Sequence, residues 1–496
     1  MTIAKTALIS FLLGLTFGSQ ARAEPVAQVY VLTGRGMNET LKAADLSPYT
    51  DVVLSFAHPD ANGQLINGDS LSCMSAPNHM MASVADLQSA VDFIHAAGKR
   101  AVVSLGGAFI PPCAGDWAVL MDGTHRTATV QGLSDFAGRL KLDGLDVDLE
   151  SDLMTRSAEA GNYVPFVMAL SAAMHAQGKT LSVATGSYVG GMIPVASLPA
   201  FDRVGVMAYD NNVPGEEHAS PADFKTQMYL WLGRGVSKDR LVMGLPFYGH
   251  GYGDYAAIPQ PYRDIVAAHA PAPDADVVGE LCATCSYITF NSPATIAAKT
   301  SLAVRKASGV MVWELWQDTP DHVLTRALAG GEGAAATYPA LPVTPAPSGT
   351  ILARYKPAQW DVSGAGAASV ADKTVPGGAA IHVSAPVTEN PWDVAASLPI
   401  KSHLKAGQRI AIVFWARVRA DDPDTQFEIP VTVEGASEPY PTLLHARTIV
   451  TTAWRRVSVT GVLSSDVAPG SANIQVLLGA AAKTLEMGPA EVLAIK

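Results

Sequence analysis

The amino-acid sequence predicts an α/β fold, a (β/α)8 TIM barrel, followed by a C-terminal β-sandwich domain. The chain has 496 residues, whereas single hydrophobic cores stop growing at roughly 250 to 300 residues, so two domains are expected. Up to about residue 330, short apolar strands alternate with helical patterns, as in α/β proteins. Beyond residue 350, strand patterns follow one another without helices, which favours a sandwich.

Eight apolar runs rich in Val, Leu and Ile predict the strands of the first domain. They are QVYVLTG (28–34), DVVLSFA (51–57), RAVVSLGG (100–107), LDGLDVDLE (142–150), TLSVATGS (180–187), RVGVMAYD (203–210), RLVMGLPFYG (240–249) and GVMVWELW (309–316). Their alternation with helices favours a closed barrel, and the main alternative is an open doubly wound sheet. Such a sheet more often carries a G-x-G-x-x-G phosphate loop after its first strand, and TGRGMNE (33–39) lacks that pattern.

Helical patterns lie between several of these strands. Ser83 and Asp86 have the spacing of a capping box, so a helix should begin just after Ser83. Further helical patterns cover 128–140, 162–177, 221–232 and 293–307.

The first 23 residues have the pattern of a secretory signal peptide. Lys5 supplies the positive start, residues 6–18 the apolar centre, and Ala21-Arg22-Ala23 the small-x-small cleavage motif. We expect cleavage after Ala23 and a secreted or periplasmic protein. The alternative, an uncleaved membrane anchor, needs about 20 apolar residues.

Residues 329–350 are dominated by Ala, Gly and Pro, a composition typical of an extended, semi-rigid linker. The predicted boundaries are therefore 1–23 for the signal peptide, 24–330 for the barrel, 331–350 for the linker and 351–496 for the sandwich.

The charge balance argues against polyanionic partners. The chain carries 45 acidic and 34 basic residues, a formal net charge of -11, and its Lys and Arg residues do not cluster. A nucleic acid or an anionic membrane therefore has no basic patch to bind. We expect a neutral or weakly charged ligand, no cofactor, no metal and a monomeric chain.

The four cysteines predict disulfide bonds, because export makes such bonds permissible. Cys73 and Cys113 fall in loops after consecutive strands, and Cys282 and Cys285 share one short loop, so these two pairings are favoured among the three possible. A redox pair in CATC is the alternative, but no thioredoxin-like βαβ pattern surrounds it.

The fourth predicted strand contains the motif DGLDVDLE (143–150), which concentrates acidic side chains. Side chains alternate across a strand, so Asp146, Asp148 and Glu150 share one face, and the alternate apolar residues pack under helices. In a parallel barrel the acids would line the axis, with Glu150 near the carboxyl end, where barrels place their chemistry.

Successive carboxylates about 6 to 7 Å apart cannot all ionise cheaply away from water, so one proton should be shared and one pKa raised. A carboxyl group that stays protonated near neutral pH can serve as a general acid. Two alternatives remain. One is a solvated acidic face at a sheet edge, and the other is a divalent metal site, although no His-containing ligand set or calcium-loop spacing accompanies these acids.

The D-x-x-D-x-D-x-E pattern on a fourth strand resembles the signature of family 18 glycoside hydrolases, the chitinases and their relatives. Further motifs fall in register with that family over residues 28–318. They are Ser104-Leu105-Gly106-Gly107, similar to S-x-G-G on the third strand, Met207-Ala208-Tyr209-Asp210, similar to M-x-Y-D on the sixth, the GLPFYG turn (244–249), and Trp313 in VMVWE on the eighth.

The resemblance implies retaining hydrolysis of N-acetylglucosamine chains, in which the 2-acetamido oxygen of the substrate attacks the sugar. By position, Glu150 would be the general acid and base, Asp148 would stabilise the cationic intermediate, Asp146 would share its proton, and Tyr209 would bind the acetamide. Asp210, Trp313 and Met207 would form the substrate-binding surface. Asp143 is expected to be a turn or capping residue, and Ser104 with its glycines to shape the backbone without chemistry.

Two departures from the family pattern leave the substrate open. Leu149 stands where many chitinases have an aromatic residue, and only about 60 residues separate GLPFYG from VMVWE, so the cleft-deepening α+β insertion should be reduced or absent. A chitinase is favoured. The alternatives are an endo-β-N-acetylglucosaminidase that acts on N-glycans and a chitin-binding lectin that has lost catalysis.

The C-terminal strands resemble carbohydrate-binding modules of families 4 and 9, through LKAGQRIAIVFWARV (404–418) and TTAWRRVSVTGVL (451–463). Trp415 is expected in the core, whereas Trp360, Trp392 and Tyr440 are the candidates for stacking on sugar. Such a module would hold polymer near the barrel without touching the chemistry. Deleting residues 351–496 should then spare the hydrolysis of soluble oligomers.

Overall fold

The computed structural model describes residues 24–255, 259–333, 338 and 347–496. The predicted signal peptide (1–23) and most of the predicted linker (331–350) lie outside the described residues. These segments and the domain boundaries stay predictions.

The first domain is a closed barrel of eight parallel strands, as predicted. The strands are β1 (Val26–Leu32), β2 (Asp51–Ala57), β3 (Arg100–Gly107), β4 (Gly144–Leu149), β5 (Thr180–Thr185), β6 (Arg203–Val206), β7 (Leu241–Pro246) and β8 (Gly309–Trp313). Each strand pairs with its neighbours in chain order, and β1 pairs with both β2 and β8, which closes the sheet.

The described residues form ten α-helices, nine of them before β8 and one after it. They are α1 (Met37–Ala43), α2 (Val84–Ala96), α3 (Trp117–Leu120), α4 (Arg126–Arg139), α5 (Ser151–Glu159), α6 (Tyr163–Ala176), α7 (Pro221–Gly233), α8 (Tyr262–His269), α9 (Pro293–Lys306) and α10 (Val323–Gly333). The predicted capping box of Ser83 and Asp86 begins α2. Within the described part of the chain, no helix has the length and apolar character needed to cross a membrane.

Two small insertions interrupt the barrel pattern. After β2 the chain forms a hairpin-like set of short strands, Ile66–Asn67, Ser70–Ser75 and Met81–Ser83. After β7 it forms a four-stranded antiparallel sheet from Tyr248–Tyr252, Gln260–Pro261, Val277–Gly279 and Tyr287–Thr289. This sheet and α8 are a reduced α+β insertion, as the short spacing between GLPFYG and VMVWE predicts.

Both predicted disulfides are present. Cys73, on the strand after β2, is bonded to Cys113 in the loop after β3, which ties two loops at the same end of the barrel. Cys282 is bonded to Cys285 beside the small sheet after β7.

The C-terminal domain is a β-sandwich of two antiparallel sheets. Its strands are β9 (Thr350–Tyr355), β10 (Asp361–Ser363), β11 (Gly366–Ala371), β12 (Ala379–Ala385), β13 (Ala395–Pro399), β14 (Arg409–Arg419), β15 (Gln426–Gly435), β16 (Thr442–Thr451), β17 (Arg455–Val462), β18 (Ala472–Leu477) and β19 (Lys483–Ala494). One sheet has the order β11-β12-β19-β14-β17, with β9 also on β19, and the other has the order β10-β13-β18-β15-β16.

Two of the tryptophan predictions for this domain are wrong. Trp360, expected to stack on sugar, is only 6% exposed, and its Nε1 donates a hydrogen bond to the carbonyl of Gly488. Trp415, expected in the core, is partly exposed and lines a groove of about 750 Å³ on the outer face of β14. Trp392 and Tyr440 are exposed, at 55% and 54%.

The sandwich packs directly against the barrel through α7 and the sheet that contains β15. Tyr229 of α7 is buried within the hydrophobic cluster of the sandwich, and its hydroxyl donates a hydrogen bond of 2.7 Å to Asp422. The Lys306 ammonium group lies 2.8 Å from the same carboxylate. Apolar and charged contacts therefore join the two domains, and the expectation that the sandwich holds polymer near the barrel stays a prediction.

The end of α7 contacts the backbone of the sandwich. The carbonyl of Gly233 accepts a hydrogen bond of 2.9 Å from the amide of Ala482. A Cβ atom at Gly233 would lie 2.8 Å from the Cβ of Ala481, so only glycine fits this contact without movement. The side chain of Arg234 is buried next to it and donates a hydrogen bond to the carbonyl of Ala480.

We predict that Gly233→Ala lowers the melting temperature of the full chain. In a free helix, alanine would be more stable than glycine by about 0.5 to 1 kcal/mol, but the overpacked contact with Ala481 should cost about 1 to 3 kcal/mol. The matched control is Gly330→Ala in α10, where an added Cβ meets no described atom within 4 Å. A higher melting temperature for Gly233→Ala, measured by calorimetry, would contradict the tight domain contact.

Candidate active site

The acidic side chains of β4 lie on the barrel axis, as alternation predicts. Leu145, Val147 and Leu149 are buried in the main hydrophobic cluster of the barrel, on the opposite face of the strand. Asp146 and Asp148 are 1% and 4% exposed. Glu150 follows the last residue of β4 and is partly exposed at the carboxyl end of the barrel.

Asp146 is held by hydroxyl groups from neighbouring strands. Ser104 and Ser182 lie in register with Asp146 on β3 and β5, and their Oγ atoms donate hydrogen bonds of 2.7 Å to its two carboxylate oxygens. The Tyr30 hydroxyl from β1 donates a third, of 2.9 Å. The expectation that Ser104 only shapes the backbone is wrong, because its hydroxyl binds the acid directly.

Asp148 lacks the hydroxyl donors that surround Asp146. Its Oδ1 is buried and has no hydrogen-bond partner among the described residues. Burial raises the pKa of Asp148 well above its usual range, and the charges of Glu150 and Asp146 raise it further. Burial also raises the pKa of Asp146, but its three hydroxyl donors lower it in part. Of these two buried acids, Asp148 is therefore the one whose environment more strongly favours the protonated form.

Glu150 has a pKa suited to proton transfer near neutral pH. Burial raises the pKa of its carboxyl group to about 7, and the negative charge of Asp210 contributes to the rise. A carboxyl group with this pKa is protonated in a substantial fraction of molecules at pH 7, so it can donate a proton to a bound ligand.

The glycines of the S-x-G-G motif make room for the site. Gly106 has a φ of +103°, and a Cβ there would lie 2.5 Å from the carbonyl oxygen of Asp148. A Cβ at Gly107 would lie 2.7 Å from the ring of Phe56. The two glycines therefore allow the end of β3 to pass close to Asp148 and to Phe56, as predicted.

Tyr209 and Asp210 lie beside Glu150, just after β6. Burial and the charge of Asp210 raise the pKa of Tyr209 well above its usual range, so its hydroxyl group stays a donor. Its ring packs edge-on against Tyr248, with 6.0 Å between centroids. A Cβ at Gly244 would lie 2.8 Å from the Tyr209 ring, so this glycine of GLPFYG makes room for it.

Asp210 has a positive φ of 65° and carries its own set of hydrogen-bond donors. The Tyr248 hydroxyl donates to its Oδ1 at 2.6 Å, and His250 Nε2 lies 2.9 Å from the same atom. His218 Nδ1 is 3.6 Å away. Burial alone would raise the pKa of Asp210, but these neighbours hold it below its usual range, so the residue is a carboxylate.

Asp210, His218 and His250 are also the one group among the described residues that could hold a metal ion, since their ligand atoms lie within 4.8 Å of one another. His218 lies in the segment before α7 and His250 on a strand of the small sheet after β7, so their spacing in the sequence does not reveal the cluster. The absence of a metal stays a prediction. Hydrogen bonding within the cluster already accounts for the ionised state of Asp210.

Aromatic side chains form the floor of the site. Trp313, at the end of β8, stacks on Phe56 with 5.6 Å between ring centroids and 23° between ring planes. The ring of Tyr30 also contacts Trp313, with 5.6 Å between centroids. These residues line a cavity of about 500 Å³ together with Asp148, Glu150, Met207, Tyr209 and Asp210. The cavity therefore gathers a flat apolar surface and several carboxyl groups, a combination that suits a sugar ring.

Asp143 lies at the other end of β4, as predicted. Its carboxylate is 2.9 Å from His95 Nε2 and accepts a hydrogen bond of 2.8 Å from the amide of Ala101. Asp143 therefore caps the amino-terminal side of the strand and takes no part in the carboxyl row.

Sequence reasoning missed several side chains of the site, namely Tyr30, Phe56, Ser182, His218, Tyr248 and His250. Tyr30 and Ser182 carry a usable signal, because polar residues in otherwise apolar barrel strands must face the axis if the alternate residues are to pack under helices. Tyr248 and His250 follow GLPF on a short strand, and their contact with Asp210 depends on the loop geometry after β7.

Comparison with known proteins places residues 28–318 in register with a family model described as "Glycosyl hydrolases family 18". No curated protein matches the chain.

Among solved structures, the chain is similar to the GH18 chitinase ChiB from the chitin utilization locus of Flavobacterium johnsoniae. The TM-score is 0.52 and the sequence identity 25%, and the match covers 62% of this chain and 94% of that chain. A chitinase from Bacteroides thetaiotaomicron matches with a TM-score of 0.52 and 22% identity, over 63% of this chain and 99% of that chain. At that lower identity, the second match shows the fold.

We predict that the carboxyl group of Glu150 titrates with a pKa of about 7 in the free protein. Asp210→Asn should lower this pKa, because it removes the negative charge that opposes ionisation of Glu150. The matched control is Asp143→Asn at the far end of β4, which should leave it unchanged. Carbon-13 NMR of labelled glutamate measures the titration, and a midpoint near 4.5, the ordinary value for glutamate, would contradict the described environment.

Proposed function

The chain belongs to glycosyl hydrolase family 18 and is a chitinase-like glycoside hydrolase, and from this we propose that it cleaves β-1,4-linked N-acetylglucosamine chains with retention of configuration. The nucleophile in this proposal is the 2-acetamido oxygen of the substrate. The catalytic residues are Glu150, Asp148, Asp146 and Tyr209, and Asp210, Trp313 and Met207 bind the substrate.

The observation that carries the proposal is the pairing of Glu150, with a pKa raised to about 7, and Asp148, whose buried Oδ1 has no hydrogen-bond partner among the described residues. A protein nucleophile must be ionised before it attacks, and Asp148 is held protonated by burial and by its two acidic neighbours. Glu150 is the carboxyl group exposed to the cavity with a suitable pKa for proton donation. The pair therefore favours substrate assistance over a two-carboxylate scheme with Asp148 as nucleophile.

In the first step, the acetamido oxygen attacks the anomeric carbon and the glycosidic carbon–oxygen bond breaks. Glu150 gives its proton to the departing oxygen, so the leaving sugar departs as an alcohol. The sugar that remains carries a cationic oxazolinium ring. In the second step, the Glu150 carboxylate removes a proton from water, the oxygen of that water adds to the anomeric carbon, and the acetamide is restored.

Asp148 and Tyr209 act on the acetamide in this scheme. Tyr209 donates a hydrogen bond to the acetamide oxygen before attack. Asp148 orients the acetamide N–H and stabilises the positive charge that develops on the ring. As that charge appears, the ionised form of Asp148 becomes more favourable, so the shared proton can move toward Asp146. The hydroxyl groups of Tyr30, Ser104 and Ser182 hold the Asp146 carboxyl group in position.

Ring stacking and charge would hold the sugar at the cleavage point. The face of Trp313 supports the apolar side of the ring, while Asp210 accepts hydrogen bonds from hydroxyl groups of the distorted sugar. Tyr248 and His250 keep Asp210 ionised and fixed in position. Met207 contributes apolar contact at the edge of the same cavity.

We further propose that the protein is exported and acts as a monomer outside the cytoplasm. This proposal rests on the signal-peptide pattern of residues 1–23 and agrees with the two disulfides, which are typical of oxidising compartments.

Two incubations and one binding measurement separate the candidate functions. A chitinase releases short N-acetylglucosamine oligomers from chitin oligosaccharides, an endo-β-N-acetylglucosaminidase releases an intact glycan from a high-mannose glycoprotein, and a lectin releases neither but binds the oligosaccharide in calorimetry. We expect the first result. Release of the intact glycan with no cleavage of chitin oligomers would overturn the proposed substrate.

We predict that Glu150→Gln lowers kcat on a soluble oligomer by at least about 100-fold, because the amide cannot donate a proton to the leaving oxygen. Binding of the oligomer, measured by calorimetry, should survive, since the amide keeps the shape of the acid. Asp143→Asn serves as the control and should keep most of the activity. Activity of Glu150→Gln within about tenfold of the wild type would remove Glu150 from its role.

We also predict that kcat/KM falls on the alkaline side of about pH 7. The proton-donating form of Glu150 exists below its pKa, so raising the pH through about 7 removes the general acid. Above that point the rate should fall by about tenfold per pH unit. A profile that stays flat to pH 9 would contradict the assignment, and a circular-dichroism series over the same range controls for unfolding.

A further inference from the structure

A second cavity lies on the other side of Glu150 from the aromatic floor. Its volume is about 440 Å³, and it shares four residues, Glu150, Met207, Tyr209 and Asp210, with the cavity above Trp313. Asp148 and Trp313 line only the first cavity. A ligand that crosses the boundary at Glu150 would therefore occupy both.

The C-terminal sandwich supplies part of the wall of this second cavity. Arg447 on β16 and Glu428 on β15 line it opposite barrel residues that follow β5 and β6. Arg447 Nη2 donates hydrogen bonds of 3.3 Å to Asn211 and 3.0 Å to Glu216, and Nη1 lies 3.5 Å from Glu428. Asn211 is the residue next to Asp210 in the chain, so the sandwich touches the immediate neighbour of a proposed substrate-binding residue.

The position of this wall is fixed by contacts away from the cavity. Tyr229 and Lys306 of the barrel both bind Asp422 of the sandwich, at 2.7 and 2.8 Å. Gly233 allows the backbone of α7 to approach Ala482. Because the sandwich is anchored at these points, Arg447 is held at the rim of the cavity, where 38% of its side chain remains exposed to a ligand.

We propose that the sandwich completes the leaving-group side of the active site. In this proposal Arg447 and Glu428 bind the leaving sugar, whose glycosidic oxygen Glu150 protonates. This inference rests on the proposed function and extends it, because it assigns the sandwich a part in binding soluble substrate. The ligand is an uncharged, polyhydroxylated sugar such as the N-acetylglucosamine unit that follows the cleaved bond.

The chemistry of the second cavity fits such a sugar. The Tyr188 ring lines it and is 57% exposed, so it offers a face for stacking. The other lining side chains are mainly amides, acids and hydroxyls, among them Asn212, Thr226 and Gln227. The Arg447 guanidinium lies between the carboxylates of Glu216 and Glu428, so the wall presents donors and acceptors together and has no excess positive charge that would favour an anion.

The position of Glu150 decides which sugar enters which cavity. The sugar whose acetamide reacts must lie where Asp148 and Trp313 are, in the first cavity. Glu150 protonates the oxygen that joins this sugar to the next one. The next sugar, which becomes the leaving group, therefore lies beyond Glu150 in the second cavity.

The test compares two soluble substrates that differ on the leaving-group side. One is the tetramer of N-acetylglucosamine, and the other is 4-nitrophenyl diacetylchitobioside, whose leaving group is a small aryl alcohol. Arg447→Ala should lower kcat/KM on the tetramer by about tenfold, the loss expected for hydrogen bonds from a charged group. On the aryl substrate the same variant should stay within about twofold of the wild type, because no sugar occupies the second cavity.

Two control variants separate binding from folding. Arg419→Ala removes an equal charge on β14 of the other sheet, where the side chain is 56% exposed, and should change neither rate. Lys306→Met removes one of the contacts that hold the sandwich in place without lining the cavity. Because this contact helps to position Arg447, any loss of kcat/KM in this variant should be confined to the tetramer and no larger than the loss in Arg447→Ala. An equal loss on both substrates would show that the domain contact supports the fold of the whole site, which would overturn the assignment.

The other outcomes are equally decisive. If Arg447→Ala cleaves the tetramer as fast as the wild type, or loses activity equally on both substrates, the sandwich does not bind the leaving sugar. If the wild type cleaves neither substrate, the proposed function fails, and this inference fails with it. A wild-type enzyme active on both, with an unaffected Arg447→Ala variant, overturns the inference alone.

Discussion

The site depends on one constraint, which is that β4 turns three successive alternate carboxyl groups toward a barrel axis that excludes water. The two buried ones, Asp146 and Asp148, do not both ionise readily, because two neighbouring negative charges away from water repel each other. The Tyr30, Ser104 and Ser182 hydroxyls make Asp146 the better anion, so the proton stays mainly on Asp148, whose Oδ1 has no partner among the described residues. The acid nearest the cavity, Glu150, is left with a pKa raised to about 7. The capacity of Glu150 to donate a proton therefore depends on the different surroundings of the three carboxyl groups, which set their pKa values.

Much of the barrel could be predicted because its strands are buried on both faces and therefore read as apolar runs. DVVLSFA (51–57) and RAVVSLGG (100–107) have the observed bounds. The sequence predicts that the strand RVGVMAYD runs to 210, but it ends at Val206, and Asp210 in the following segment adopts a positive φ. The sandwich was harder. Alternation shows that Val413, Trp415 and Arg417 share a face of β14, but only the packing of the second sheet decides that this face lies outside the core.

The residues of the site also fall into those that could be predicted from sequence and those that could not. Residues in the family motifs could be placed from sequence because strand ends and register are local properties. The residues that tune them come from distant segments: His218 precedes α7, Tyr248 and His250 lie in the small sheet after β7, and Arg447 belongs to the other domain. Their meeting depends on loop geometry and on the domain contact at Gly233, Tyr229 and Lys306, none of which has a periodic signal in the chain. The two domains should therefore be considered as parts of one enzyme, with the barrel providing the chemistry and the sandwich contributing to the walls around it.

The central claim is that hydrolysis at this carboxyl row proceeds by two displacements, so that the anomeric carbon is inverted twice. The configuration of the sugar released first tests it most directly. Proton NMR recorded in the first minutes of hydrolysis of a soluble N-acetylglucosamine oligomer, before mutarotation, should show the β-anomer at the new reducing end. Initial formation of the α-anomer would contradict the account, because it would mean that a protein carboxylate activates water for a single direct displacement.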